Sequence, residues 1–236
     1  MEILFTALLI MHVIAGTTGL IAGPVSMVNK KGGRQHRFTG KLFFYAMMLV
    51  SVTAVSMATL PHHHSPFLLI IGVFSAYLVS SGYRVLYLKG LPKGQKVLSL
   101  DWAISLTMAA FAVYFILSGL TGGMGSSFGS VNVVSVVFGS IALLLVVKDM
   151  RKYTKAPADK NFWLYDHITR MIAGNIAAFT AFLVVNNSML PPVVAWLGPT
   201  VIGTAVISFF ITKYKLKARK GSAKDELVTV KIAAGS

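Results

Sequence analysis

Seven apolar stretches, at about residues 3–28, 39–60, 66–88, 99–120, 129–148, 166–188 and 191–213, alternate with short polar segments along the 236-residue chain. Each is long enough to cross a hydrocarbon layer about 30 Å thick at about 1.5 Å of rise per helical residue. A chain buried in lipid has no water to satisfy its N–H and C=O groups, so each stretch is expected to be a helix. The pattern predicts an all-α, polytopic transmembrane helix bundle with seven spans.

The polar segments fix an orientation. All but one of the 22 Lys and Arg residues fall between spans one and two (Lys30 to Lys41), three and four (Arg84 to Lys96), five and six (Lys148 to Lys160), or after span seven. The other connections carry His62 to His64, Thr121 to Ser130 and Asn186 to Pro192, with no Lys or Arg. The positive-inside rule then puts the N-terminus outside and the C-terminus in the cytoplasm. Residues 1–213 form the transmembrane domain and 214–236 a basic cytoplasmic tail, expected to lie on lipid headgroups and then fray. Span one has Glu2 and no basic residue before a very long apolar run, so it reads as a retained helix rather than a cleaved signal.

Composition agrees with a membrane address. Apolar residues make up 55% and charged residues 12% of the chain, against about 25% charged in soluble domains. The net charge of +15 follows from orientation and implies attraction to anionic lipid at the cytoplasmic face, not to nucleic acid. The absence of Cys excludes disulfides, thiolate metal sites and a cysteine nucleophile. No HExxH or GxSxG motif occurs, which argues against a protease or lipase. Span seven contains no internal lysine for a retinal Schiff base, so a light-driven pump is excluded. The glycine-rich connection with Gly122, Gly123 and Gly125 follows no strand and does not read as a phosphate cradle.

Within the spans, small residues at close-packing spacing, Gly19 with Gly23 and Ala177 with Ala181, suggest that helices one and six are interior. Pro24 and Pro199 are expected to bend their helices. Candidate chemistry lies with polar residues that a bilayer makes costly. His12 sits about 14 Å inside span one by the helical rise; it reads as a hydrogen bond between helices, a cofactor ligand or a proton-relay group. Arg170 lies one turn inside span six, with Asp166 four and His167 three residues earlier on the same face. It reads as an Asp166–Arg170 anchor or as a site for a propionate, phosphate, carboxylate or quinone oxygen.

His36, next to Arg37, and His167 fall at one depth on different helices. If the fold brings them together, they suit an axial pair for haem b, or two ligands of a divalent metal completed by Asp166 or Asp101. Arg170, Arg84 and Arg37 would then neutralise the acidic groups of the cofactor. His62 to His64 read as a solvated turn. Three functions stay open: a redox or cofactor-binding protein, a small-solute or proton-coupled transporter with His12, Arg170, Asp166, Asn175 and Asn186 along its path, and a non-catalytic accessory or assembly subunit. A homo-oligomer or a membrane partner stays open as well.

His12 with Gly16, Gly19 and Gly23, followed by Lys31, Gly32, His36, Arg37, Gly40 and Met47, resembles blocks of an uncharacterised family of bacterial multi-pass membrane proteins, a domain of unknown function. Tyr77, Ser81 to Arg84, Asp101 and the run Asp166, His167, Arg170 and Met171 are similar to its later blocks. The resemblance spans most of residues 5–185 and implies a bacterial cytoplasmic membrane protein, without a substrate or a reaction. The two HxxxG elements, His12 to Gly16 and His36 to Gly40, bear a fainter likeness to haem-bearing cytochrome b-type bundles.

Overall fold

A computed structural model describes residues 2–123 and 129–234; Gly125 of the expected glycine-rich connection lies outside them. The described residues form seven α-helices: α1 (Glu2–Val28), α2 (Arg34–Thr59), α3 (Pro66–Arg84), α4 (Ser99–Leu120), α5 (Gly129–Thr154), α6 (Phe162–Asn186) and α7 (Pro192–Ala234). All seven are long and apolar enough to cross a membrane. Short 3-10 turns at Val85–Tyr87 and Leu91–Lys93 carry the chain from α3 to α4.

The helices outrun the apolar stretches. Helix α2 starts at Arg34 and α6 at Phe162, while α5 runs on to Thr154 and α7 to Ala234. The apolar run measures only the hydrocarbon crossing, and a helix keeps its own hydrogen bonds as it enters the headgroup zone. For that reason the basic tail, expected to fray, continues α7 instead. Pro24 and Pro199 lie inside continuous helices. Local chemistry sets several ends. Ser65 caps α3 by accepting the Leu68 N–H at 3.3 Å, with Pro66 in the first helical position, where its missing N–H is not needed. Gly32, at φ +76, takes the left-handed turn between α1 and α2, a conformation that strains other residues.

Helix α3 occupies the centre and packs on α2, α4, α5 and α6, while α1 leans on α2 and α6, and α7 on α6. The most buried span is therefore α3, and α1 and α7 are the least buried. The expectation that α1 is interior is corrected: its glycines serve one narrow contact face, with Gly19 against Met47 and Gly23 against Asn175, and the rest faces outward. One core cluster joins α3, α4 and α5 through Ile70, Phe74, Leu78, Met108, Phe115 and Val146. A second joins α1, α2 and α3 through Ala22, Phe43, Met47 and Val79. The exposed residues of the spans are large and apolar, such as Ile10, Ile14, Ile21, Val137 and Leu144. An apolar exterior of this kind is what lipid requires and water would not tolerate.

Contacts of His36 with Ser26, His167 with Gly82 and Arg84 with Asp101 bring the α1–α2, α3–α4 and α5–α6 connections together at one end, which carries most of the Lys and Arg. This basic end holds both polar clusters described next.

Candidate functional site

The first cluster is a buried run of alternating charge across α3, α5 and α6. Arg170 is 2% exposed and Asp149 fully buried, and a guanidinium nitrogen of Arg170 donates to Asp149 Oδ1 at 2.6 Å. Its other terminal nitrogen donates to Ser81 Oγ at 2.5 Å, and the Tyr77 hydroxyl donates to Asp149 Oδ2 at 2.7 Å. The guanidinium also lies 5.2 Å from the Tyr77 ring centroid, a cation–π distance. Lys152 bridges the two carboxylates, 2.7 Å from Asp149 and 2.9 Å from Asp166. Lys148 closes the run on Asp166 at 2.6 Å. Three cations thus meet two carboxylates, and each carboxylate oxygen is held.

The Asp166–Arg170 anchor expected from their spacing does not form. Arg170 turns to Asp149 on α5, and Asp166 to the two lysines. Residues four apart are neighbours on a helix surface, but both oxygens of the buried Asp166 are taken by Lys148 and Lys152 of α5. Asp149, fully buried across the α5–α6 interface, is the carboxylate left to meet the guanidinium, where little water screens the attraction. Asp149 went unrecognised in the sequence because it sits among Lys148, Arg151 and Lys152 and looks like one more charge at a solvated helix end.

The second cluster is a histidine pair. His36 on α2 and His167 on α6 come together with ring centroids 6.5 Å apart and planes 80° to one another. His167 Nδ1 lies 2.7 Å from the Gly82 carbonyl, and His36 Nδ1 lies 2.9 Å from the Ser26 carbonyl. A carbonyl oxygen only accepts, so each Nδ1 carries the proton and each neutral ring presents the Nε2 lone pair. Gly82 permits this approach. A Cβ there would stand 2.8 Å from the Arg170 Cβ and 3.2 Å from Met171 Sδ.

Lys31 stands beside the pair. Its Nζ donates to the Ser26 carbonyl at 3.3 Å and to the Met27 carbonyl at 2.5 Å, capping the C-terminal end of α1 where a cation is favoured. It also lies 4.5 Å from the Phe210 ring of α7. Burial and the nearby Lys213 pull its pKa down from 10.5 to about 8.

The remaining candidates are dispersed. Arg84 makes a two-pronged pair with Asp101 at 2.8 and 3.0 Å, pinning α3 to α4, while Asp101 also accepts the Leu98 N–H at 3.2 Å and so closes the start of α4. Arg37 is exposed. His12 belongs to neither cluster: its Nδ1 lies 2.9 Å from Thr53 Oγ1. That hydroxyl reaches the Leu49 and Val50 carbonyls at 2.8 and 3.0 Å, so the histidine is the donor and ties α1 to α2. At the opposite end, His63 stacks on Phe5 with centroids 3.9 Å apart and lies 3.3 Å from Glu2. The Asn175 Nδ2 atom is buried without a hydrogen-bond partner.

Neither a family model, nor a curated protein, nor a solved structure matches this chain significantly.

Proposed function

We propose that this protein is a redox protein of the bacterial cytoplasmic membrane that binds a metal-centred cofactor, haem b foremost, between His36 and His167 at the cytoplasmic end of the bundle. One observation carries the reading: two imidazoles from different helices, 6.5 Å apart between centroids, each with Nδ1 fixed on a main-chain carbonyl. Holding Nδ1–H on a carbonyl fixes the tautomer and ring orientation, as the carbonyls and carboxylates that accept from metal-bound histidines do.

The donor set discriminates between cofactors. His36 and His167 would be the residues to hold a metal-centred group here, because each ring has its Nδ1 tied to a main-chain carbonyl and its Nε2 left as the donor atom. Among the described residues there is no group of three or more His, Cys, Asp or Glu side chains able to hold an ion, and Asp166 is engaged by Lys148 and Lys152. Two nitrogens suffice when a macrocycle supplies the other donors, which favours haem over a bare ion held in an all-protein tetrahedral site. Bound there, haem would supply one-electron chemistry.

The chain's own contribution is orientation and charge. Ser26 and Gly82 aim the two rings, and Lys31 offers an ammonium beside them to a carboxylate. Arg84 and Arg170 already face Asp101 and Asp149, which leaves Lys31 and the exposed Arg37 as the cations for that task. The test is the haem and iron content of protein purified from haem-replete cells. Near-stoichiometric haem that falls in both His36→Ala and His167→Ala supports the reading, and wild-type protein lacking haem and any other metal rejects it.

A second reading, proton-coupled transport, draws on the paired run from Asp166 through Lys152 to Asp149 and on the unpartnered Asn175. Intramembrane ionisable residues often line ion paths. Proton flux in proteoliposomes that Asp149→Asn abolishes would favour it over redox chemistry, and flux absent from the wild type would remove it.

A further inference from the structure

Between the last turns of α5, the start of α6 and α7, two adjoining crevices of about 510 and 370 Å³ open at the basic end. They share Lys148, Lys152 and Pro157. The larger adds Arg151 and Lys155 and has no acidic residue in its wall. The smaller is lined by Tyr165, Asp166 and Ile211, with Asp159 and Lys215 as its further charged residues.

The charges in this wall do not balance. Asp166 is held by Lys148 and Lys152, and Lys152 also holds Asp149. Lys148 is nonetheless 61% exposed, so its ammonium can meet a further anion. Arg151 and Lys155 are exposed and form no salt bridge among the described residues. The wall of the larger crevice carries charge of one sign only, and such a concave surface concentrates the field and draws in counter-ions. A planar guanidinium next to two ammonium groups suits phosphate oxygens, the first through paired hydrogen bonds and the others as point charges.

Position narrows the source. Lys148 lies six residues before the end of α5, about 9 Å along the helix, so the crevice passes from the headgroup level toward the hydrocarbon. Its inner wall, with Tyr165 and Ile211, is apolar enough to receive the glycerol and first methylenes of a lipid. Basic pockets between membrane helices are suited to acidic headgroups.

We propose that this crevice is a binding site for a phosphate-bearing anion, held by Lys148, Arg151 and Lys155, with an acidic phospholipid headgroup as its natural source. It is separate from the histidine pair and stands whether or not that pair binds a cofactor. Occupancy would place the anion against the outermost cation of the Asp166–Lys152–Asp149–Arg170 run.

The test is the melting midpoint of the detergent-purified full chain, titrated with short-chain phosphatidylglycerol, short-chain phosphatidylcholine or inorganic pyrophosphate. Phosphatidylglycerol is expected to raise the midpoint saturably and phosphatidylcholine to leave it unchanged. The Arg151→Gln/Lys155→Gln variant, chosen because neither side chain holds the fold together, is expected to lose about thirtyfold in apparent affinity. Arg34→Gln/Lys41→Gln, which removes the same charge elsewhere at the basic end, should respond as the wild type does. Pyrophosphate that saturates the response and competes with phosphatidylglycerol would support the site with a soluble phosphate as its source. An equal response to phosphatidylcholine, no response to any of the three, or an unaltered affinity in the Arg151/Lys155 variant would overturn the proposal.

Discussion

Arg170 of α6 and Asp149 of α5 meet at 2.6 Å, both withdrawn from solvent, with Tyr77 and Ser81 of α3 completing their hydrogen bonds. The pair and its hydrogen-bond partners join the central helix to two neighbours. Removing one partner would strand the other charge in a poorly solvated site, the costly half of any buried ion pair.

Asp149→Ala is accordingly expected to destabilise the protein by about 3–5 kcal/mol, measured by reversible unfolding in mixed micelles. Arg170→Met added to Asp149→Leu should recover a large part of that loss, because the pair is then replaced by apolar volume. Equal stability of Asp149→Ala and wild type would show that the run contributes nothing to holding α3, α5 and α6 together.

Gly82 brings α6 against α3 and lends its carbonyl to His167. Gly82→Ala should cost about 1–3 kcal/mol by overpacking, whereas Gly16→Ala, with only Val50 Cγ2 at 3.9 Å, should change stability by less than about 1 kcal/mol. Melting curves of the two variants in one detergent make the comparison; similar losses would contradict the tight α3–α6 approach.

Lys31 carries a pH dependence whose sign is fixed. Its pKa in the folded chain, about 8, lies below the ordinary 10.5, so the folded state releases this proton first. The penalty of burying the ammonium is present in full below pH 8 and is relieved as pH rises toward 10.5, making this contribution to stability increase with pH. Acylation of Lys31 as a function of pH, followed by peptide mass spectrometry, should show a midpoint near 8. A midpoint at 10.5 would contradict its burial beside Lys213.

His12 ties α1 to α2 through Thr53. Hydrogen bonds between membrane helices average about 0.6 kcal/mol, so a double-mutant cycle of His12→Leu and Thr53→Val should give a coupling near that value. It should leave any bound cofactor in place, and cofactor loss in His12→Leu would bring that residue into the site.

The spans were legible because a bilayer asks for little more than an apolar run of sufficient length, and all seven stretches became helices. Their ends were not, since α5 and α7 keep their backbone bonds well beyond the last apolar residue. Equal depth along two helices anticipated that His36 and His167 could meet. What spacing could not supply was partner choice between helices. The four-residue interval from Asp166 to Arg170 pointed to a local pair, while the real partner was 21 residues earlier on α5. Of the lysines useful in the sequence as topology markers, Lys152 turns inward between two buried carboxylates, while Lys148 reaches Asp166 from the exposed side.

The most direct test of the account is the reduced-minus-oxidised absorption spectrum of the purified protein, recorded for the wild type, His36→Ala and His167→Ala. Haem held between these rings predicts a Soret band and a sharp α band on dithionite reduction in the wild type, and loss or a marked change of both bands in each variant. A featureless wild-type spectrum, or bands unaltered by both substitutions, would contradict it.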